Sequence, residues 1–266
     1  MVNEKLKLLK NGISKKECVI VAFSGGVDSS VLASIARSVL GEKAVAVTVK
    51  LHSFPARELE CAKRVAKEIG IKHKVVYLNE LEVPLISENS SNRCYHCKKE
   101  ILGILNSVKD ELGFNVIIEG SNASDLNAYR PGRMAIEEAG DKVYSPYIEF
   151  DVNKDDIRHI AAELGLSVTE KSASPCLASR FPYGDSLNEA GIKRVEMAED
   201  FLLKMGFQDL RVREHQKIAR IEIHPDQMHL LLQIREDLIS YLEGIGFTYV
   251  TLDLKGFRSG SMDEIL

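Results

Sequence analysis

Cys18-Val-Ile-Val-Ala-Phe-Ser-Gly-Gly-Val-Asp-Ser-Ser-Val-Leu-Ala-Ser-Ile-Ala-Arg37 reads as a buried strand, a glycine turn and the opening of a helix. Val19 to Phe23 is a short apolar run with β-branched residues, the pattern of a central parallel strand covered on both faces. Gly25 and Gly26 allow backbone dihedrals closed to other residues and let N–H groups approach a ligand. The helix that follows directs its positive end at the same spot. An oxyanion is the natural occupant.

The residues around the glycines decide which phosphate loop this is. A Walker loop needs a lysine and a hydroxyl after the second glycine, and a Rossmann turn needs G-x-G-x-x-G; neither is present. Ser24, Gly25, Gly26, Val27, Asp28, Ser29 and Ser30 instead supply amides, hydroxyls and one carboxylate. That set suits pyrophosphate, with Mg²⁺ bridging to Asp28. The alternative, an Asp/Ser cap after an ordinary glycine turn, uses the same residue types. The strand before and the apolar helix after favour the phosphate loop. The Ser24–Ser29 motif resembles the signature of the N-type ATP pyrophosphatases, the PP-loop family. That resemblance implies cleavage of ATP between the α- and β-phosphates, with AMP placed on a substrate oxygen.

At 266 residues, 45% hydrophobic and 28% charged, the chain has the composition of a soluble globular protein with room for two domains. A net charge of −4 gives no global attraction for a polyanion, and no local basic patch is obvious, so no nucleic-acid partner is expected. Met1 to Lys10 alternates charged and apolar residues at helical spacing, unlike a signal peptide, and no run reaches the ~18 apolar residues of a membrane span. A cytoplasmic location and no membrane partner are expected. Five cysteines do not make a disulfide framework and are better read as core, metal or catalytic thiols.

Beyond the first strand and helix, Lys43–Lys50 reads as strand, Ala56–Ile69 as helix ending at Gly70, and Lys72–Leu78 as strand. Leu85–Arg93 is polar and irregular, Cys97–Leu112 helical, Phe114–Glu119 strand and Asp151–Leu164 helical. This alternation predicts an α/β fold with a doubly wound parallel sheet, whose ligands sit beyond the carboxyl ends of the strands. From Lys171 the composition turns rich in Ser and Pro, and a loop of that length suggests function. Then come helix Asn188–Met205, strands Asp209–Glu214 and Lys217–Ile223, helix Gln227–Ile245 and strand Phe247–Leu254. That order predicts a smaller C-terminal α+β domain, with residues 1–170 as the nucleotide domain and 171–266 as the second.

A second glycine-polar loop follows the Phe114–Glu119 strand. Gly120, Ser121, Asn122 and Asp125, then Arg130 and Arg133, are placed to converge on the ligand of the first loop. Asp125 would help hold the metal, and Arg130, the catalytic candidate of the pair, and Arg133 would bind phosphate in bidentate fashion. A solvated loop with Asn and Gly as turn formers is the alternative.

Cys94-Tyr-His-Cys97 opens a helix, and helix N-termini stabilise thiolates. Zinc would want four ligands, with His96 or a distant residue joining; an iron–sulfur cluster manages with three cysteines, and Cys176 is the obvious third. Cys18 and Cys61 read as core thiols. Ser179, Arg180, Arg211 and Arg213 form a basic constellation. Arg211 and Arg213 share one face of a strand and would repel unless they met a substrate phosphate or an acidic neighbour such as Glu214 or Glu222.

Taken together the chain resembles the LarE family of PP-loop sulfur transferases. The likeness runs from Ser24–Ser29 through Asn127-Ala-Tyr-Arg-Pro-Gly132, Ser174-Pro-Cys-Leu-Ala-Ser-Arg-Phe-Pro-Tyr-Gly184, Arg211-Val-Arg213 and Ile218-Ala-Arg-Ile-Glu222 to Tyr249–Gly260. It implies the adenine nucleotide alpha hydrolase fold. It also implies ATP-dependent adenylation of a carboxylate of pyridinium-3,5-biscarboxylic acid mononucleotide, then thiocarboxylate formation in nickel-pincer nucleotide biosynthesis. A PP-loop domain would do this beside a C-terminal domain for substrate binding and oligomerisation. Asp28, Arg130 and Cys176 would be catalytic, and Ser179, Arg180, Arg211 and Arg213 would hold the substrate phosphate. Some members sacrifice the sulfur of one cysteine; others hold a [4Fe-4S] cluster on three. Cys94, Cys97 and Cys176 place this chain with the cluster type, using ATP, Mg²⁺ and [4Fe-4S]. Its partners would be the small nucleotide substrate, a sulfide source, other proteins of the same biosynthesis and copies of itself, as hexamers are common in the family. The rival readings are a tRNA thiolase of the PP-loop class, a sacrificial-cysteine donor, and a non-catalytic nucleotide- or zinc-binding module.

Overall fold

A computed structural model describes residues 2–124, 132–172, 174–258 and 260–261. In chain order α1 (Val2–Ser14), β1 (Val19–Ala22), α2 (Val27–Leu40), β2 (Ala44–Lys50), α3 (Ala56–Ile69) and β3 (Lys72–Tyr77) come first. The short α4 (Pro84–Ser87) precedes α5 (Arg93–Leu112), β4 (Val116–Ile118), α6 (Gly132–Ala139), β5 (Val143–Tyr144), α7 (Pro146–Glu149) and α8 (Lys154–Glu163). Then follow α9 (Glu189–Lys204), β6 (Arg211–His215), β7 (Ile218–Glu222), α10 (Met228–Gln233), α11 (Arg235–Gly244) and β8 (Tyr249–Leu252). The chain divides into two compact units, one of Met1–Leu78 with Cys94–Ser174, the other of Asn79–Arg93 with Pro175–Leu266.

The first unit is built on a five-stranded sheet in the order β3-β2-β1-β4-β5, parallel at every pairing. It is the doubly wound α/β sheet read from the alternation of strands and helices. Its inner strands β1, β2 and β4 are buried and almost wholly apolar because both faces are covered, whereas the edge strand β3 is part-exposed and carries Lys72, His73 and Lys74. Val19 and Val21 of β1 pack with Leu9 of α1, Leu32 and Ile35 of α2, Val65 of α3 and Ile157 of α8. Ile20 joins Val45 and Val47 of β2, Leu102 and Leu105 of α5 and Ala135 of α6 in a second cluster. Chain order reverses between β1 and β4, and a ligand belongs in the crevice that such a reversal opens at the carboxyl ends.

The second unit carries a three-stranded sheet, β6-β7-β8, with β6 antiparallel and β8 parallel to β7. One face packs Val212, Ala219 and Ile221 against Ile192, Val195 and Leu202 of α9 and Leu238 and Leu242 of α11. Asn79–Arg93 belongs to this unit through Asn89. Its Nδ2 donates to Pro182 O at 2.6 Å, and its Oδ1 accepts from Arg93 Nη1.

Several elements differ from expectation. The two-residue β5 is too short to leave a periodic trace, and it completes the sheet beside β4. The helix expected from Asp151 begins at Lys154, because Asn153 and Asp156 form a reciprocal capping box and Asp151 sits at φ +49°. The helix expected over Gln227–Ile245 is broken at Ile234 into α10 and α11, with Leu231 and Leu238 both buried across the break. α5 opens at Arg93 rather than at Cys97, which puts both Cys94 and Cys97 inside its first turns.

Candidate active site

The glycine loop leaves the carboxyl end of β1. Gly25 sits at φ +72°, and a Cβ there would stand 2.6 Å from the Ala62 Cα of α3, so only glycine fits both the angle and the space. Gly26 is the N-cap of α2 and has no side chain with which to cap it. The first-turn amides are thus left for an outside acceptor. The two serines brace the turn. Ser29 Oγ accepts from Ser24 N at 3.2 Å and donates to Gly26 O at 3.1 Å, and the two hydroxyls lie 3.1 Å apart. Ser24 Oγ also accepts from Gly26 N at 3.3 Å. Ser30 Oγ is buried and has no hydrogen-bond partner among the described residues.

β4 brings the second loop to the same end of the sheet. A Cβ on Gly120 would lie 3.2 Å from Asp28 Cβ, so the two loops touch at the first residues of α2. Glu119, buried, accepts from Ser121 N at 3.1 Å, Ser121 Oγ at 2.8 Å and Ser145 Oγ at 2.5 Å. Asn122 is also buried, and its Oδ1 accepts from Ser124 N at 3.0 Å. Arg133 lies on α6 and pairs with Glu137 one turn on, at 2.8 Å. Asp125 and Arg130 lie outside the described residues.

Three side chains at this loop were not singled out from the sequence. Lys154 Nζ donates to both Asp28 carboxylate oxygens at 2.7 and 2.6 Å. Tyr147, fully buried in α7, donates to Asp28 O at 2.9 Å; burial first, then the Asp28 charge, pushes its phenol well above the ordinary range. Lys171 donates to Gly25 O at 3.2 Å, Glu58 at 2.7 Å and Cys61 Sγ at 3.1 Å. Their sequence separation from the loop hid them. Cys61 packs in the core, as expected, but also edges the loop, with its Sγ 3.8 Å from Gly25 O.

Mg²⁺ keeps most of its waters and takes one or two carboxylates plus phosphate oxygens. Asp28, part-exposed beside an uncapped helix start and a cradle that a Cβ at Gly25 or Gly120 would crowd, fits that role. Among the described residues no group of three or more His, Cys, Asp or Glu is arranged to hold a metal ion. Cys94 is exposed and Cys97 half-buried in α5. Cys176 is half-buried at the start of a single helical turn, Leu177–Arg180, and its carbonyl accepts from Ser179 Oγ at 2.9 Å. Thiolates are the ligands of iron–sulfur clusters, so each of the three has the right donor atom for one. Cys18 is half-buried ahead of β1, outside the core clusters.

In the second unit the expected basic constellation is heavily paired. Arg180 is fully buried; it grips Glu199 at 2.8 and 3.1 Å and donates to Pro175 O, Cys176 O and Ser179 Oγ, so it fixes the Cys176 loop. Arg213, also buried, grips Glu222 at 3.1 and 2.9 Å and reaches Ser179 O at 2.7 Å. Of the two acidic neighbours weighed from the sequence, Glu222 is the partner. Glu214 points to the opposite face, as the two-residue period of a strand requires, and binds Arg194 instead. Arg211 lies over Phe257, 5.0 Å to the ring centre. Arg220 pairs with Glu222 and Asp253, while the buried Nε2 of His215 has no hydrogen-bond partner among the described residues. Burial first, then the Arg220 charge, holds the His215 pKa below its ordinary value.

The asparagine synthase family matches residues 13–88, the span from the end of α1 through α4 that contains the glycine loop. The chain is 39% identical over 249 residues to the pyridinium-3,5-bisthiocarboxylic acid mononucleotide synthase of Lactiplantibacillus plantarum, covering 93% of this chain and 90% of that protein. An uncharacterized protein of Synechocystis is 40% identical over 268 residues, covering 100% of this chain and 99% of its own. A tRNA-specific 2-thiouridylase of Zymomonas mobilis is 31% identical over 192 residues, covering 59% of this chain and 51% of that enzyme.

Proposed function

This chain belongs to the LarE family of PP-loop, ATP-dependent sulfur-transferring enzymes, and from that premise we propose that it converts a carboxylate of pyridinium-3,5-biscarboxylic acid mononucleotide to a thiocarboxylate. The observation that carries the reading is the glycine loop at the point where strand order reverses, with the first turn of α2 left uncapped. Those amides, with the Ser24 and Ser29 hydroxyls, grip the β- and γ-phosphates of ATP. Asp28 would hold Mg²⁺, which would supply charge neutralisation at the phosphates. The substrate carboxylate attacks the α-phosphorus, its C–O oxygen joins AMP, and pyrophosphate leaves. A poor leaving group, oxide, thereby becomes a good one, AMP, and a sulfur nucleophile then displaces it.

Cys94, Cys97 and Cys176 would hold a [4Fe-4S] cluster, which would supply a transferable sulfide. Arg180 and Glu199 hold the Cys176 loop in place for that step. Arg211 and Arg213, with Ser179, take the substrate phosphate on the polar face of β6. Asp125 and Arg130, with Arg133 of α6, complete the nucleotide site. The enzyme works in the cytoplasm as a homo-oligomer, with a sulfide source as partner; among the described residues no helix is long and apolar enough to cross a membrane.

The test is pyrophosphate release from ATP by the anaerobically prepared, iron-loaded chain, with and without the dicarboxylate mononucleotide, followed by intact-protein and product mass. Release that requires the mononucleotide, a product that exchanges oxygen for sulfur, and an unchanged protein mass are expected. Loss of H₂S from the protein itself would replace the cluster with a sacrificial cysteine. Release driven by tRNA instead would overturn the substrate.

A further inference from the structure

Asp28 carries the metal role in the reading above, and the ammonium of Lys154 already occupies both of its carboxylate oxygens, at 2.7 and 2.6 Å. Neither partner is sealed in. Their side chains are 28% and 37% exposed, so the pair is open to exchange. Both ends are nonetheless anchored. Asp28 sits in the first turn of α2, its carbonyl held by Tyr147. Lys154 is the first residue of α8, its amide held by Ser124 Oγ at 3.2 Å and its helix start fixed by the Asn153–Asp156 box.

We propose that Lys154 is a counter-ion for Asp28 that gives way to the divalent cation and passes to the phosphate oxygens as nucleotide arrives. An ammonium and a divalent cation compete for the same oxygens. Metal alone must displace Lys154 and leave it without an anion, which keeps bare-metal affinity low. A triphosphate entering the loop offers Lys154 a new anionic acceptor in place of the old one, so the exchange loses little. Metal and nucleotide binding are then positively coupled, each raising the other's affinity by the same factor. The idle loop avoids holding a divalent cation and stays neutral until both ligands arrive.

The inference rests on ATP binding at the α2 loop, and the experiment reads the two separately. Mn²⁺ is titrated by electron paramagnetic resonance into the full chain and into Lys154→Met and Lys154→Arg, each without nucleotide and with saturating ATP. ATP affinity is measured in parallel by calorimetry with and without Mg²⁺. For Lys154→Met, bare Mn²⁺ affinity should rise about two- to fivefold as the competing ion pair is lost. ATP affinity should fall about tenfold or more as a charged phosphate donor is lost. Lys154→Arg keeps the charge and should retain the parent coupling, with thermal unfolding confirming that both variants fold. Unchanged or weaker bare-metal affinity in Lys154→Met, or undiminished metal–nucleotide coupling, would overturn the role of Lys154 while leaving the ATP site standing. No ATP binding by the parent chain would overturn both.

Discussion

At the residue scale, the second unit keeps two arginines out of water, and each is held by a carboxylate. Arg180 and Glu199 are 0% and 1% exposed, so neither charge has solvent to fall back on. Removing one partner of such a pair strands the other, at a cost of about 3–5 kcal/mol, whereas replacing both with apolar residues of similar volume is often neutral. Glu199→Gln should therefore lower stability in urea unfolding by several kcal/mol. Arg180→Met with Glu199→Leu should recover most of that loss yet fail to restore sulfur transfer, because the donors to Pro175 O and Cys176 O are gone. Recovery of activity in the double variant would mean that the pair serves stability alone. The sequence marked Arg180 as a phosphate ligand by its charge; that its guanidinium is enclosed follows from Glu199, nineteen residues on in the middle of α9, which no local pattern connects to it.

At the element scale, β3 joins the sheet through more than its backbone ladder. His73 shares a hydrogen bond with Thr48 Oγ1 of β2 at 2.8 Å and meets Phe23 edge-on at 5.5 Å, just ahead of the glycine loop. Burial, and secondarily the Lys63 charge, holds its pKa below the ordinary histidine value. The unfolded chain therefore binds more protons than the folded one between those two pKa values. This part of the stability is complete above about pH 6.5 and drains away as pH falls below it. Thermal unfolding followed from pH 7.5 down to 5.5 should show the midpoint falling, with a shallower fall in His73→Gln; equal slopes would show that other groups set the acid response. The helices that pattern alone made legible were the long amphipathic ones, and α3 matches its expected bounds residue for residue. The two-residue β5 and four-residue α7 escaped because each spans only about one hydrophobic period, too little to show a repeat, and their positions are set by the neighbours they pack with.

At the scale of the whole molecule, the five cysteines sort by surroundings. Cys61 is enclosed in the core of the first unit, whereas Cys94 is exposed and Cys97 and Cys176 are half-buried. Reconstitution with iron and sulfide under anaerobic conditions should give a cluster absorbance that is lost in Cys94→Ala, Cys97→Ala and Cys176→Ala and kept in Cys61→Ala. Zinc uptake with no iron would refute the cluster. The sequence by itself determined the phosphate loop, the parallel α/β sheet and the family, since each is written in contiguous residues: a strand, two glycines and a helix start impose their geometry locally. Only the tertiary structure decided which charges are free. Lys154 on Asp28, Lys171 on Gly25 O and Glu199 on Arg180 join residues that are far apart in sequence or lack any local pattern linking them. Electrostatic pairing depends on distance in space and on access to water, and both arise only when the chain has packed.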